Sequence, residues 1–164
     1  MQTNPNAQEI EQQLFTDEDL YNYTEASTGQ RFLNLIIDNI LMRYGLSYLS
    51  GMAVGYILGA FFPEAAYRLF GDENSFNVLA LGYLIVTVNY LVYYTFSEKV
   101  FNGYTLGKLI TGTRAVRQDG GELTFRDAFL RSASRLVPFE AFSALGGNSP
   151  WHDKWTKTMV IKSR

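Results

Sequence analysis

Arg31, Asn34 and Asp38 fall at i, i+3 and i+7 of the segment RFLNLIIDNILMRYG, which contains no Pro and no Gly before Gly45. On a helix these three make one polar stripe. Phe32, Leu33, Leu35, Ile36, Ile37, Ile40 and Leu41 surround the stripe with apolar surface. A guanidinium, an amide and a carboxylate on such a helix need a partner surface, because charge next to hydrocarbon is costly unless paired. Arg31 and Asp38 stand ~10.5 Å apart along the axis, two turns, so each requires its own countercharge. A second charged face lies downstream. Thr124 with Asp127 three residues later reads as a capped helix start. The helix that follows can run to Val137, with Asp127, Arg131, Ser134 and Arg135 opposite Phe125, Phe129, Ala133 and Leu136. Such a helix is expected at the anionic inner leaflet, its apolar side in the acyl boundary, and a placement against the lower part of the first helix is compatible with that. The second placement brings Arg131 or Arg135 near Asp38.

The residue types that support enzymatic chemistry are scarce. The chain has no Cys and one His, His152, which excludes a thiol nucleophile, a Cys-based zinc or iron–sulfur site and an imidazole cluster. GYTLGK, Gly103 to Lys108, has three residues between its glycines where a phosphate loop needs four, and Leu109 follows the Lys where Ser or Thr is required. No Ser-centred nucleophile elbow, paired-His motif or nucleotide fingerprint is present. No enzymatic activity, cofactor or metal is therefore expected.

The elements that must position these charges are apolar and long. Tyr44 to Phe62 is nineteen residues without a charge, ended by Pro63, and Asn77 to Phe96 is another twenty. At ~1.5 Å per residue the first run is about 28 Å long, close to the ~30 Å hydrocarbon core of a bilayer. The fold expected is an integral membrane, mainly α protein. It is a two-span helical hairpin with a long first helix over about 31–62 and a second span over 77–96. Residues 136–150 are too short and broken to span. The first apolar run is too long and too late for a secretory h-region, so the N-terminal segment is expected to stay attached.

Charge is unevenly distributed along the 164 residues. Residues 1–29 contain six acidic groups and no Lys or Arg, and residues 97–164 carry eleven basic and six acidic groups. The first segment is expected to be a flexible cytoplasmic stretch, with the domain proper at 30–164. Arg68 is the single basic residue in the connection between the spans. Lys/Arg asymmetry therefore puts both termini in the cytoplasm and only Pro63 to Phe76 outside. The basic 97–164 part directly follows a span, so anionic lipid headgroups, not nucleic acid, are its expected partner. Within it, Thr113 to Arg117 reads as a strand, Asp119 to Gly121 as its turn and Glu122 to Thr124 as the returning strand. Thr156 to Lys162 could join as a third. Ser47, Gly51, Gly55 and Gly59 recur every four residues, a series that lets another helix approach closely. It can serve between the two helices of one chain or between chains of a homo-oligomer.

Arg31, Asp38 and the pair His152-Asp153 together resemble the RDD family of small membrane proteins, named for one Arg and two Asp residues. The matching stretches are RFLNLIID (31–38) and WHDKWTKTMVI (151–161). Between them, residues 104–132 are similar to the family's linker, Gly-Lys turn, hairpin and amphipathic helix. The resemblance implies a multi-pass protein of the cell's inner membrane and supplies no defined activity. It implies that Arg31, Asp38 and Asp153 act together, supported by Asn34, Arg131, Arg135 and His152. We expect Arg31 to pair with Asp153 and Asp38 with Arg131 or Arg135, an interfacial network that clamps the C-terminal segment onto the helices. His152 is expected to be a hydrogen-bonding anchor between Trp151 and Trp155. The alternatives are an oligomeric ion or small-solute transporter of cation/proton antiport type that uses Asp38, and a scaffold or accessory subunit with a membrane-protein partner.

Overall fold

The computed structural model describes residues 23–71, 76–144 and 149–163. The acidic stretch 1–22 and positions 72–75 of the connection between the apolar runs lie outside the described residues. The first helix, α1, opens at Thr28 because Ser27 caps it. The Ser27 hydroxyl accepts from Gln30 N–H at 3.2 Å, and the Gln30 side chain accepts from Ser27 N–H at 3.0 Å. This reciprocal box satisfies two otherwise orphaned donors, and it starts the helix three residues before Arg31. α1 covers Thr28–Ile40, passes through a π-helical turn at Leu41–Leu46 and continues as α2, Ser47–Phe61. The rod expected over 31–62 is thus helical from end to end but not uniform. The π turn inserts an extra residue, so α2 presents its side chains at a different angle from α1.

Pro63 begins a short helix, α3 (Pro63–Phe70), where its missing N–H costs nothing. α4 is Phe76–Val100 and is the one helix among the described residues long and apolar enough by itself to cross a membrane. α2 buries none of its residues, and α4 buries only Tyr94, Thr95 and Glu98, in its last turns. The two rods meet through polar groups. Asn89 Nδ2 donates to Ser50 Oγ at 2.6 Å and, more weakly, to Ser47 Oγ at 3.4 Å. An ideal Cβ at Gly51, Gly55 or Gly59 would have nothing within 4 Å. Of the small-residue series, Ser47 thus meets the other helix of the chain and the three glycines do not.

Beyond α4 the chain folds back on itself. α5 (Leu106–Thr111) packs on α1, β1 (Thr113–Arg117) follows, and α6 (Phe125–Ser134) packs on α4. A 3₁₀ turn at Glu140–Ala144, the short helix α7 (Trp151–Thr156) and β2 (Thr158–Lys162) complete it. β1 and β2 pair antiparallel with Ala115 opposite Val160. The expected return strand at Glu122–Thr124 does not form. Leu123 instead turns inward beside Ala26, Ala115 and Val160 in a small apolar cluster. The other side of β2 is taken by the N-terminal segment: Ala26 N–H donates to Val160 O and Lys162 N–H to Thr24 O, each at 2.9 Å. The last residues of the segment expected to be flexible are therefore built into the fold.

Gly103 makes the tightest of these turns possible. It sits at φ +92° and accepts from Ala115 N–H at 2.9 Å. A Cβ there would lie 2.0 Å from the Ala115 carbonyl oxygen, so only glycine lets the chain leaving α4 meet β1.

The capped start of α6 forms as read: Thr124 Oγ1 accepts from Asp127 N–H, and Asp127 Oδ2 accepts from Thr124 N–H. The helix ends at Ser134, three residues short of Val137. Its inward face is Ala128, Arg131 and Ser132, whereas Phe125 and Phe129 are exposed. The same inversion holds around this whole end of the molecule. Leu106, Leu109, Ile110, Leu130 and Leu136 point outward while Asp38, Glu98, Lys108, Arg131 and Asp153 are buried. That is the reverse of a water-soluble domain, in which charged side chains almost never bury fully unless paired.

Candidate functional site

The buried charges form one chain of alternating sign. At its outer end Arg31, near the start of α1, donates from Nη2 to the exposed Glu25 at 3.2 Å. Its Nη1 lies 2.5 Å from Asp153 Oδ2, at the other end of the sequence in α7. Asp153 Oδ1 accepts from Arg131 Nη1 at 2.6 Å. Arg131, on the inward face of α6, passes its Nε to Glu98 Oε2 at 2.8 Å. Glu98 Oε1 accepts from Lys108 Nζ of α5 at 2.7 Å and from Arg135 Nη2 at 3.1 Å. Both Glu98 and Arg131 are 0 % exposed. One carboxylate therefore holds three cations from two elements in a place water does not reach. Buried pairs of this kind stabilise only when the geometry is good and the remaining donors are satisfied. Among the described residues one buried side-chain nitrogen or oxygen lacks a partner, Arg131 Nη2. Arg131 Nη1 also contacts Thr158 Oγ1 on β2, which ties the strand to the chain.

The match to the RDD family model covers residues 25–157. This chain belongs to the RDD family. No match was found among the curated proteins or the solved structures. The RDD match starts at Glu25 and ends one residue before β2, so it takes in every link of the charge chain. RDD proteins are membrane proteins, in agreement with the apolar helix α4 and the outward-facing apolar surface.

The sequence expectation placed Asp38 against Arg131 or Arg135; the structure places it against neither. Asp38 accepts from Tyr93 Oη at 2.8 Å, from Thr105 Oγ1 at 2.7 Å and from Gly107 N–H at 2.8 Å. It is a hub of neutral donors. The reason is the close approach of α5 to α1: a Cβ on Gly107 would lie 2.6 Å from the Asn34 carbonyl oxygen. That approach brings the Gly107 N–H and the Thr105 hydroxyl onto the Asp38 oxygens in place of a cation from α6. Asn34 joins the same seam, donating to Thr113 Oγ1 at 3.0 Å and accepting from Thr111 Oγ1 at 2.5 Å. Arg131 and Arg135 turn to Glu98 and Asp153 instead.

His152 is buried, and its Nδ1 lies 2.5 Å from Glu140 Oε1 while Nε2 is 3.4 Å from Arg135 Nη2. Burial and the Arg135 charge hold the imidazole below its ordinary value, so at neutral pH it is uncharged. A proton on Nδ1 then donates to Glu140, and Nε2 accepts from Arg135. Trp151 and Trp155 stack beside it, with ring centroids 5.7 Å apart. Arg135 also lies 4.5 Å over the Tyr94 ring, a further stabilising contact for its charge.

Electrostatics rank these groups. Burial alone would raise the Asp153 carboxyl, but Arg131, His152 and Arg31 outweigh it and hold the group well below the usual carboxylate range. Burial pushes Lys108 down to about 8 against the pull of Glu98. Lys108 is thus the buried cation easiest to discharge, and Asp153 stays ionised through ordinary pH.

Glu98 and Lys108 are the members of the charge chain that sequence reasoning missed. Glu98 looks like the charge that ends a span. Its only signal is position four residues after Tyr94, on the one face of α4 that is buried.

Removing one member of a buried pair leaves the other uncompensated, so Asp153→Asn is expected to destabilise the protein by about 2–5 kcal/mol. Adding Arg31→Gln should cost little more, and a double-mutant cycle in detergent should show strong coupling. The pH sign follows from the depressed carboxyl. Its contribution is complete above the unfolded value of 3.8 and is lost as pH falls below it. The stability gap between wild type and Asp153→Asn should therefore narrow as pH drops from about 5 to 3. Additive losses, or curves that stay parallel, would contradict the pairing.

Proposed function

We propose that this RDD protein is a two-span protein of the inner membrane, with both termini cytoplasmic, whose buried charge chain locks the two ends of the polypeptide together beneath the bilayer. The single observation that carries this reading is the alternation Glu25, Arg31, Asp153, Arg131, Glu98, Lys108. It links the start of α1, the end of α4, α5, α6 and α7. Each charge has an opposite neighbour, as a structural lock requires and a reacting site does not. No enzymatic role is proposed, and the surrounding lipid is the main partner. α1 and α2 together form the first span and α4 the second. The outward Phe125 and Phe129 of α6 rest in the acyl boundary of the inner leaflet, near anionic headgroups.

A second reading is favoured by one observation. Asp38 is buried, and no cation among the described residues contacts it. A carboxylate of this kind at the membrane boundary suits ion or small-solute transport. Two helices enclose no pathway, so transport would need a homo-oligomer, and the open Gly51, Gly55 and Gly59 face is where chains would meet.

Single-cysteine labelling decides the topology, because the chain has no Cys of its own. In intact cells, Phe70→Cys should react with an impermeant maleimide and Gly120→Cys should not. The opposite pattern would contradict two spans with cytoplasmic termini. Purified protein in liposomes under imposed proton and sodium gradients separates the two readings. The lock alone gives no flux. Flux that is lost in both Asp38→Asn and Gly55→Leu would establish transport through an oligomer.

A further inference from the structure

A slot of about 80 Å³ runs along α1, between it and Arg135, Glu140, Pro150 and His152. It has room for on the order of five water-sized groups. Phe32, Leu35, Tyr94, Pro150 and Val160 supply apolar lining, and the charges within it are not all engaged. Asp38 opens on the slot, and its three hydrogen bonds come from neutral donors. Arg135 also opens on it. Its Nη2 is engaged by Glu98 and His152, while its Nε and Nη1 have no hydrogen-bond partner among the described residues. The slot thus offers a carboxylate without a cation and a guanidinium with N–H groups to spare.

We propose that this slot is a headgroup site for a phospholipid that bears a primary ammonium. The ammonium meets Asp38, the phosphate meets Arg135, and the acyl chains leave over Phe32. Three features select this chemistry. A hydrated metal ion would have to shed water against apolar walls, whereas an aminoalkyl group carries its own carbon. Glu140 and Asp38 line the slot together with Arg31, Lys108, Arg135 and His152, and Arg31 and Lys108 are already paired with Asp153 and Glu98, so a ligand of both signs uses the slot more fully than a purely anionic one. Phe32, Leu33, Ile36 and Ile40 are exposed on α1, which continues through the π turn into the span. A headgroup in the slot would therefore have its chains against the surface that faces lipid. A quaternary ammonium has no N–H to give the Asp38 oxygens. The inference rests on the membrane placement proposed above and is independent of whether Asp38 moves an ion.

The test is native mass spectrometry of the full chain in detergent with equal additions of dioleoyl phosphatidylethanolamine, phosphatidylcholine and phosphatidylglycerol. One phosphatidylethanolamine should be retained at least tenfold over either of the others. Leu35→Trp, which fills the slot and leaves the charge chain untouched, should abolish that preference, as should Asp38→Asn. Equal retention of the three lipids, or preference that survives Leu35→Trp, would overturn the proposal. So would soluble phosphoethanolamine that binds as tightly as the lipid, since the site would then serve a free solute. Alkaline extraction of membranes reads insertion separately. A chain that resists extraction yet shows no headgroup preference overturns the slot alone, and a chain released by alkali overturns the membrane placement.

Discussion

A carboxylate buried beside three cations constrains everything around it. Glu98 sits at the end of α4 with no exposed surface, and transferring it from water would be prohibitive if it were alone. Lys108, Arg131 and Arg135 make its burial tolerable, and two pieces of local structure deliver them. α5 must fold back for Lys108, which needs the Gly103 turn. α6 must present its charged face inward for Arg131 and Arg135, which needs the Thr124 cap and exposes Phe125 and Phe129. Arg131 then leaves one branch for Asp153, and Asp153 draws in Arg31.

This arrangement explains why the molecule is polar inside and apolar outside at the end where α4 terminates. In water, driving Phe and Leu outward would sacrifice the main favourable term of folding. At a bilayer the apolar side chains lose nothing by facing lipid, and the charges gain by facing each other away from it. RDD membership and the apolar α4 point the same way. Asp38 stands outside the charge chain and differs from its members in kind. Its hydroxyl and amide donors satisfy the oxygens without cancelling the charge, which is why both the transport reading and the lipid slot turn on this residue and not on Asp153.

Local signals in the sequence were readable, and long-range ones were not. The apolar runs, the Thr124 cap and the β1 strand depend on residues within a few positions of each other, and the structure shows each in place. Arg31 and Asp153 could be matched because the RDD pattern joins them across the whole chain, and they lie in contact. Glu98 and Lys108 gave no such warning. A Glu after an apolar run resembles any span boundary, and its burial depends on α5 and α6 returning over it. The partners of Asp38 come from Tyr93, Thr105 and Gly107, neutral groups that no charge count can flag. The segment Thr156 to Lys162 was legible as a strand of this element, but its place directly against β1 was not. A nearby return segment is the simplest neighbour for β1, but Leu123 stabilises more by joining the apolar cluster, and the edge passes to residues far along the chain.

The account stands or falls on Glu98 as the keystone of the lock. The direct measurement is the unfolding free energy of Glu98→Gln in detergent, with and without Lys108→Met. Loss of the carboxylate leaves Lys108 and Arg135 without a carboxylate and Arg131 with Asp153 alone, so the single variant should lose about 3–5 kcal/mol. Removing the Lys108 charge as well should return a substantial part of that loss, because one of the stranded cations is gone. A Glu98→Gln protein within about 1 kcal/mol of wild type, or a double variant less stable than Glu98→Gln alone, would contradict the lock.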